Sequence, residues 1–266
     1  MKRFLLFLLA AALLFPCLGC GGTDSAAVTF FKAGKADAAV IRTKRSVLLV
    51  DTGLSKNSDD LIEDLTELGV ESIDVLIVSH FDKDHVGGAA DILAAFPVGC
   101  VYQSNCPKES GEYAAYTAAL AAAGIEPVTV TEPVSLELDG VSVVIDGPDR
   151  ETYSIDPSNN SSLLVTVTCG DSTALFPGDA QSARLAEILE DFTRPAGTLV
   201  LKVPYHGHRQ AGLAEFLAAV RPDIAVIPCS KSEPDKDEIA FVTSLLTDLG
   251  AEVFRTCDGD YTVTLS

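Results

Sequence analysis

The chain has 266 residues, 47% of them hydrophobic, and its 19 basic and 38 acidic side chains give a formal net charge of −19. That length holds one large domain or two small ones with a substantial core, and no stretch is long or biased enough to be a disordered linker. A surface so acidic repels polyanions, which excludes processive binding to a long duplex unless a basic patch compensates; Lys32, Lys35, Lys44 and Arg45, or Lys202 and Arg209, are the candidates.

The first residues read as a leader. Lys2-Arg3 is a positive start, Phe4 to Phe15 is an apolar run too short for a comfortable membrane span, and Cys17-Leu18-Gly19-Cys20 follows. This resembles a bacterial lipoprotein signal over residues 1–20, with Cys20 as the first mature residue and the lipid carrier, although Cys17 stands where Leu is more usual. Export to the outer face of a membrane is implied, and loss of Lys2 and Arg3 leaves 17 basic against 38 acidic residues, a net of −21. Residues 26–266 then form one domain, with two similar halves left open. After Cys20 come Cys100, Cys106, Cys169, Cys229 and Cys257, an odd number that forbids complete intramolecular pairing. Cys100 and Cys106 could close a short loop. Cys169 and Cys229 sit in apolar contexts and are expected to be small buried side chains.

From Val28 the pattern predicts strands over 28–31, 38–42 and 46–50, ending at Asp51-Thr52-Gly53 on the rim of a sheet. Residues 59–68 carry Leu61, Ile62, Leu65 and Leu68 at helical spacing. The apolar run Ile73 to Val78 reads as a buried parallel strand, followed by a helix from near Ala89 to Phe96, a strand over 100–103 and an alanine-rich helix over 112–123 that Gly124 ends. Further strands are expected over 127–130, 135–138 and 141–146, the last two joined by Asp139-Gly140. Strands over 163–168 and 173–176, a helix over 181–190, a strand over 198–203, a helix over 213–220, a strand over 224–227, a helix over 238–249 and strands over 252–255 and 261–265 complete the order. Interleaved strands and helices with hairpins opening each half predict an α/β sandwich of two packed sheets with helices outside.

Chemistry concentrates after residue 78. Ser79-His80-Phe81-Asp82-Lys83-Asp84-His85-Val86-Gly87-Gly88 places two imidazoles and two carboxylates within six residues at a strand's carboxyl end, a set that Zn²⁺, Mn²⁺ or Fe²⁺ takes. The chain has four histidines, and the other two, His206 and His208, share a second short loop after a strand. Asp179 is a further carboxylate at a strand end.

The ordered set Asp51-Thr52-Gly53, His80-x-Asp82-x-Asp84-His85-x-Gly87-Gly88, Gly178-Asp179 and His206-Gly207 resembles the metallo-β-lactamase superfamily, whose fold is an αβ/βα sandwich of two mixed sheets. It looks most like the hydrolase domain of ComEC-type DNA-uptake competence proteins, because Asp82 replaces the second His of the usual motif, Asn159 to Ser162 precedes a strand that leads to Gly178-Asp179, and Lys202-Val203-Pro204-Tyr205-His206-Gly207-His208 matches Lys-Val-Pro-His-His-Gly-Ser. Departures are Lys32 and Lys35 in the opening motif, Tyr205 for His, His208 for Ser, and no His before Gly178-Asp179.

The resemblance implies two divalent ions, Zn²⁺ or Mn²⁺, one on His80 and Asp82, the other on Asp84, His85 and His206, with Asp179 bridging. The first site is a protein ligand short, a gap for Asn160, Ser161 or water, and is expected to be weak. Asp84 counts as catalytic as well as ligand, and His208 is expected to act on the substrate, since an imidazole with an ordinary pKa of about 6.5 suits proton transfer near neutrality. The implied reaction is hydrolysis, of a phosphodiester rather than a β-lactam given Asp82 and the absence of Cys at the bridging position. The acidic surface favours a small or short substrate. The alternatives are a metallohydrolase acting on a non-phosphate substrate and a ligand-binding lipoprotein that keeps the fold.

Overall fold

In the computed structural model, which describes residues 24–231 and 236–266, the chain runs through two successive series of strands and helices. The expected leader lies outside those residues. The first series is β1 (Ala26–Phe30), β2 (Ala39–Arg42), β3 (Val47–Val50), α1 (Ser58–Glu67), β4 (Ile73–Val78), α2 (Lys83–Val86), α3 (Ala89–Ala95), β5 (Val98–Gln103), α4 (Gly111–Ala123) and β6 (Val128–Thr129). The second is β7 (Val134–Leu138), β8 (Val141–Asp146), α5 (Pro157–Asn160), β9 (Leu164–Cys169), β10 (Ser172–Phe176), α6 (Ser182–Asp191), β11 (Thr198–Lys202), α7 (Leu213–Val220), β12 (Ile224–Ile227), α8 (Lys236–Asp248) and β13 (Glu252–Arg255), after which β14 (Tyr261–Leu265) returns to the first sheet.

Two seven-stranded mixed sheets result, ordered β14-β1-β2-β3-β4-β5-β6 and β13-β12-β11-β10-β9-β8-β7. Each has three antiparallel pairings followed by three parallel ones, the change falling at β3 in the first sheet and at β10 in the second. The two halves therefore share one topology. Crevices at the carboxyl ends of strands near such a change of direction are where α/β sheets place their sites.

The apolar runs follow from burial on both faces. Along β3 and β4, Leu48, Val50, Val75 and Ile77 face the core between the sheets, where they meet Val143, Val165 and Phe176. Leu49, Leu76 and Val78 face outward beneath α1, α3 and α4, against Leu65, Ile92 and Tyr116. The second sheet repeats this, with Leu199 and Leu201 under Leu185, Phe216, Leu217 and Val242 of α6, α7 and α8. A strand sandwiched this way loses the alternation of a half-exposed strand and reads as continuous Val, Ile and Leu. The strand and helix order expected from the sequence is found, with ends shifted by one or two residues; the two short helices α2 and α5 were not foreseen.

The basic patch proposed around Lys202 does not exist: Lys202 is 3% exposed, its ammonium paired with Asp37 and Asp179. Cys169 and Cys229 are buried as expected, and Cys100 and Cys106 are both free thiols. Among the described residues no helix is long and apolar enough to cross a membrane.

Candidate metal centre

Four strand ends meet at one rim. After β4 the chain enters Ser79 to Asp82 and winds into α2, a single turn that sets Asp84 and His85 on successive helical positions. Backbone bonds fix this turn: Asp37 N–H donates to the Asp84 carbonyl at 3.0 Å, and Thr52 N–H and Oγ1 both donate to the His85 carbonyl at 2.8 Å. Gly87 and Gly88 are needed for close approach; a Cβ on Gly87 would sit 2.7 Å from the Ser55 nitrogen, and one on Gly88 would strike the Thr52 carbonyl.

On the other side, β10 runs into Gly178-Asp179, and β11 into a turn where Tyr205, His206 and Gly207 all take left-handed backbone, with φ of 50°, 51° and 77°. Two consecutive non-glycine residues there are strained, at about 1–2 kcal/mol each, and the result is that the chain doubles back and delivers the His206 ring inward. The α8 helix and the side chain of Ile227 back this turn, Ile227 Cγ2 lying 3.1 Å from where a Gly207 Cβ would stand.

The donor atoms of Asp84, His85, Asp179 and His206 lie within 4.8 Å of one another. His85 Nε2 is 3.2 Å from Asp179 Oδ1, and His206 Nε2 is 3.1 Å from Asp179 Oδ2 and 3.4 Å from Asp84 Oδ2. Both Nε2 atoms are buried without a hydrogen-bond partner. Behind them stand two more carboxylates. His85 Nδ1 is 2.8 Å from Asp51 Oδ2, while Asp51 also accepts from Ser79 N–H and Oγ at 2.7 Å. His206 Nδ1 is 3.4 Å from Asp37 Oδ1, and the Lys202 ammonium joins Asp37 to Asp179 and donates to the Gly178 carbonyl at 2.8 Å.

This donor set fits a divalent cation. Four buried or half-buried carboxylates (Asp37, Asp51, Asp84 and Asp179) share one ammonium, that of Lys202 on Asp37 and Asp179, and a buried negative cluster of that kind draws in positive charge. Burial pushes the His85 and His206 imidazoles down, but Asp179 and Asp37 outweigh it, so that His206 is pushed up to about 9 and His85 is raised as well. Asp179 and Asp84 are held well below the usual carboxylate range despite burial, by His206 and His85. Carboxylates behind the second ring nitrogen fix the tautomer and direction of a ligating imidazole. Asp37, Asp51 and His85 also form a close acidic group; the 2.8 Å bond of Asp51 to Nδ1 identifies it as that outer support.

The remaining expected residues stand elsewhere. His80 is fully buried, its Nδ1 3.1 Å from Ser79 Oγ and its ring 4.1 Å from that of His85, and burial with the neighbouring His85 lowers its pKa to about 4. Asp82 is turned toward Lys108, whose Nζ is 2.6 Å from Oδ1, and toward the Ser158 hydroxyl. Asn160 donates to the Ile155 carbonyl and accepts from Arg184 N–H, so its amide is used in holding α5 against α6. Ser161 Oγ and Asn159 Oδ1 are buried and unpartnered, and Asn159, not Asn160, reaches the cleft. His208 lies against the Tyr205 ring at 5.2 Å and has Nδ1 3.2 Å from Glu238; it is not among the residues that line the cleft. That cleft, of about 330 Å³, is lined by Asp82, Asp84, Asp179 and His206 together with Lys35, Lys83, Lys108, Ser110, Glu112, Asn159 and Tyr205.

A model of the metallo-β-lactamase superfamily matches residues 32–231. The chain belongs to that superfamily. Its two mixed sheets are the superfamily's αβ/βα sandwich, and the resemblance to ComEC-type competence proteins is borne out by the relatives it matches. ComE operon protein 3 of Bacillus subtilis is 27% identical, the match covering 95% of this chain and 33% of that protein. Competence protein ComA of Neisseria gonorrhoeae is 26% identical over 88% of this chain and 31% of that one. The chain thus spans about a third of the length of the curated relatives it matches. Among solved structures, CmlA, a diiron β-hydroxylase from Streptomyces venezuelae, aligns with a TM-score of 0.59 at 16% identity over 92% of this chain and 55% of that one. A diphosphatase of the PhnP family aligns at 0.54 and 15% identity over 91% and 97%. One fold therefore carries both a hydrolase and an oxygenase, and the reaction rests on the site.

Sequence reasoning missed Asp37, Lys202, Lys108 and Ser158. The first two left a signal: Asp37 in Ala36-Asp37-Ala38-Ala39-Val40 and Lys202 in Val200-Leu201-Lys202-Val203 are single charges inside apolar runs, and such charges are expected to be paired.

Proposed function

We propose that the protein is a metal-dependent hydrolase of phosphodiester bonds in a small or short substrate, acting outside the cell from a lipid anchor at Cys20. The observation that carries the reaction is the convergence of Asp84, His85, Asp179 and His206 on one point beside a cleft that Lys35, Lys83 and Lys108 also line. Three ammonium groups in that lining, beside Glu112, offer partners to an anionic substrate held at the ion, while the net charge of −19 on the chain repels a long one. In this reading those four residues hold a Zn²⁺ or Mn²⁺ ion, which when bound supplies Lewis acidity toward the phosphoryl group and acidifies water. Asp84, the ligand nearest the opening, stays ionised and orients the attacking water by accepting its hydrogen bond. Asp179, held by Lys202 and by Ser162 Oγ at 3.1 Å from its N–H, keeps the two imidazoles at a fixed spacing.

Metal-stripped protein should not cleave bis(p-nitrophenyl) phosphate, and Mn²⁺ or Zn²⁺ should restore cleavage. Asp84→Ala and His206→Ala should lose ion and turnover together, whereas His208→Ala, outside the cleft lining and bonded to Glu238, should keep the ion and most of the turnover. Full activity in the stripped protein would refute the metal reading. The anchor is tested separately: Cys20→Ser should leave the membrane fraction or persist as a precursor, and a mature protein that carries no acyl group would remove that part of the proposal.

A further inference from the structure

The family pattern places a first ion on His80 and Asp82, a pair that the fold leaves short of further donors. Among the described residues, no group of three His, Cys, Asp or Glu donors within 4.8 Å includes either residue. Asp82 is already engaged, its carboxylate paired with Lys108 and hydrogen-bonded by Ser158. The Lys108 ammonium sits 2.6 Å from Oδ1, the Ser158 hydroxyl donates to the same oxygen, and Ser158 is fixed at the start of α5, whose Asn160 ties that helix to Arg184 N–H. His80 places Nδ1 3.1 Å from Ser79 Oγ, and its Nε2, buried without a partner, belongs to no cluster of three such donors. Lys108 is also the cation of this corner that meets the opening, with 40% of its side chain exposed and its place on the lining of the cleft beside Asp84 and Asp179.

We propose that Lys108 takes the place of the first metal ion: the protein holds one divalent ion, on Asp84, His85, Asp179 and His206, and the ammonium of Lys108, steadied by Asp82 and Ser158, supplies the second positive charge to an anionic substrate. The substrate part rests on the phosphodiesterase reading above; the ion count does not. An ammonium offers three donors and a unit charge with no ligand exchange, so it can neutralise a phosphoryl oxygen where a coordinated cation would otherwise sit. The arrangement also explains why the absence of a His before Gly178-Asp179 is tolerated, since no ion is there to need it.

Stripped protein titrated with Mn²⁺ or Zn²⁺ and followed by native mass spectrometry should saturate at one ion per chain. His80→Ala should still bind one, and His206→Ala none. Two ions per chain in the wild type, or loss of an ion in His80→Ala, would overturn the inference; no ion in the wild type would overturn it together with the metal centre itself. With bis(p-nitrophenyl) phosphate as probe, Lys108→Ala should raise KM about tenfold, the loss of one hydrogen bond to a charged group, with the single ion retained and with Lys108→Arg recovering most of the effect. An unchanged KM in Lys108→Ala would refute the role of the charge. If the wild type cleaves no phosphodiester, the functional reading fails while the ion count still decides between one cation and two.

Discussion

The two halves of the molecule share a strand order but deliver their imidazoles by different means. His85 comes from the first half on a helical turn and is aimed by a 2.8 Å hydrogen bond to Asp51, which is itself fixed by Ser79. His206 comes from the second half on left-handed backbone, and its rear carboxylate, Asp37, stands 3.4 Å away and is shared with Lys202. One ring is oriented by a side-chain bond and the other by the path of the main chain. A tight, local cluster of ligands can be positioned by outer hydrogen bonds; a single ligand arriving alone from a distant strand has to be positioned by its backbone.

The comparison breaks most visibly at the rear carboxylates. Asp51→Asn should lower metal affinity by about 10–100-fold, the usual cost of losing an outer-shell partner, whereas Asp37→Asn should cost distinctly less for His206, because that ring's direction comes from residues 205–207. Isothermal titration with Mn²⁺ would measure both, and equal losses would mean that the two rings are held alike. Gly207→Ala is the converse test. An alanine there must hold φ near +77° with its Cβ against Ile227, so the fold should lose about 1–2 kcal/mol and the melting temperature should fall, with metal affinity falling in step. His85 itself sits on ordinary right-handed helix, and the left-handed residue beside it is Asp51, at φ 57°, which holds the ring through its side chain.

The smallest effect separates the rings by their protons. A ligating imidazole must be neutral, and His206 in the metal-free protein has a pKa of about 9 because Asp179 and Asp37 outweigh burial; His85 is raised by the same neighbours. Both therefore carry a proton at neutral pH before the ion arrives. Binding should release about two protons per ion at pH 7, and apparent affinity should climb as pH rises toward 9. Calorimetry in buffers of different ionisation enthalpy reads the number directly. His206→Ala should not be used for this count, since it removes a ligand; Asp37→Asn, which weakens one cause of the shift, should reduce the release.

The first half was legible because its chemistry is local. Ile73 to Val78 has the composition of a strand buried on both faces, and His80, Asp82, Asp84 and His85 follow it within six residues, so the strand end and the donors can be read together. Asp179 and His206 were also found, but by resemblance and strand-end position, since nothing in a sequence says which distant strand ends will meet. What stayed hidden depended on pairing across the sheets: Lys202 looks like a surface cation until Asp37, from the other sheet, is placed beside it, and Lys108 gains its meaning only from α5 packing Ser158 near Asp82. Asn160 and Asn159 are adjacent in sequence, yet one faces Arg184 and the other the cleft, a difference set by a four-residue helix too short to leave a periodic signal.

The strand order carries a consequence for how the protein is made. The pair β1–β14 joins residues 26–30 to residues 261–265, and the turn between β9 and β10 is bonded to Ser266, Asp171 N–H and Ser172 Oγ both donating to its carbonyl. During synthesis the first sheet can therefore assemble β1 through β6 early, but β1 keeps an open hydrogen-bonding edge until the last strand emerges. An unpaired, mostly apolar edge, Ala-Ala-Val-Thr-Phe, is a template for pairing with another chain, and closure by so remote a partner is slow. Nascent chains stalled short of residue 261 should be the aggregation-prone species.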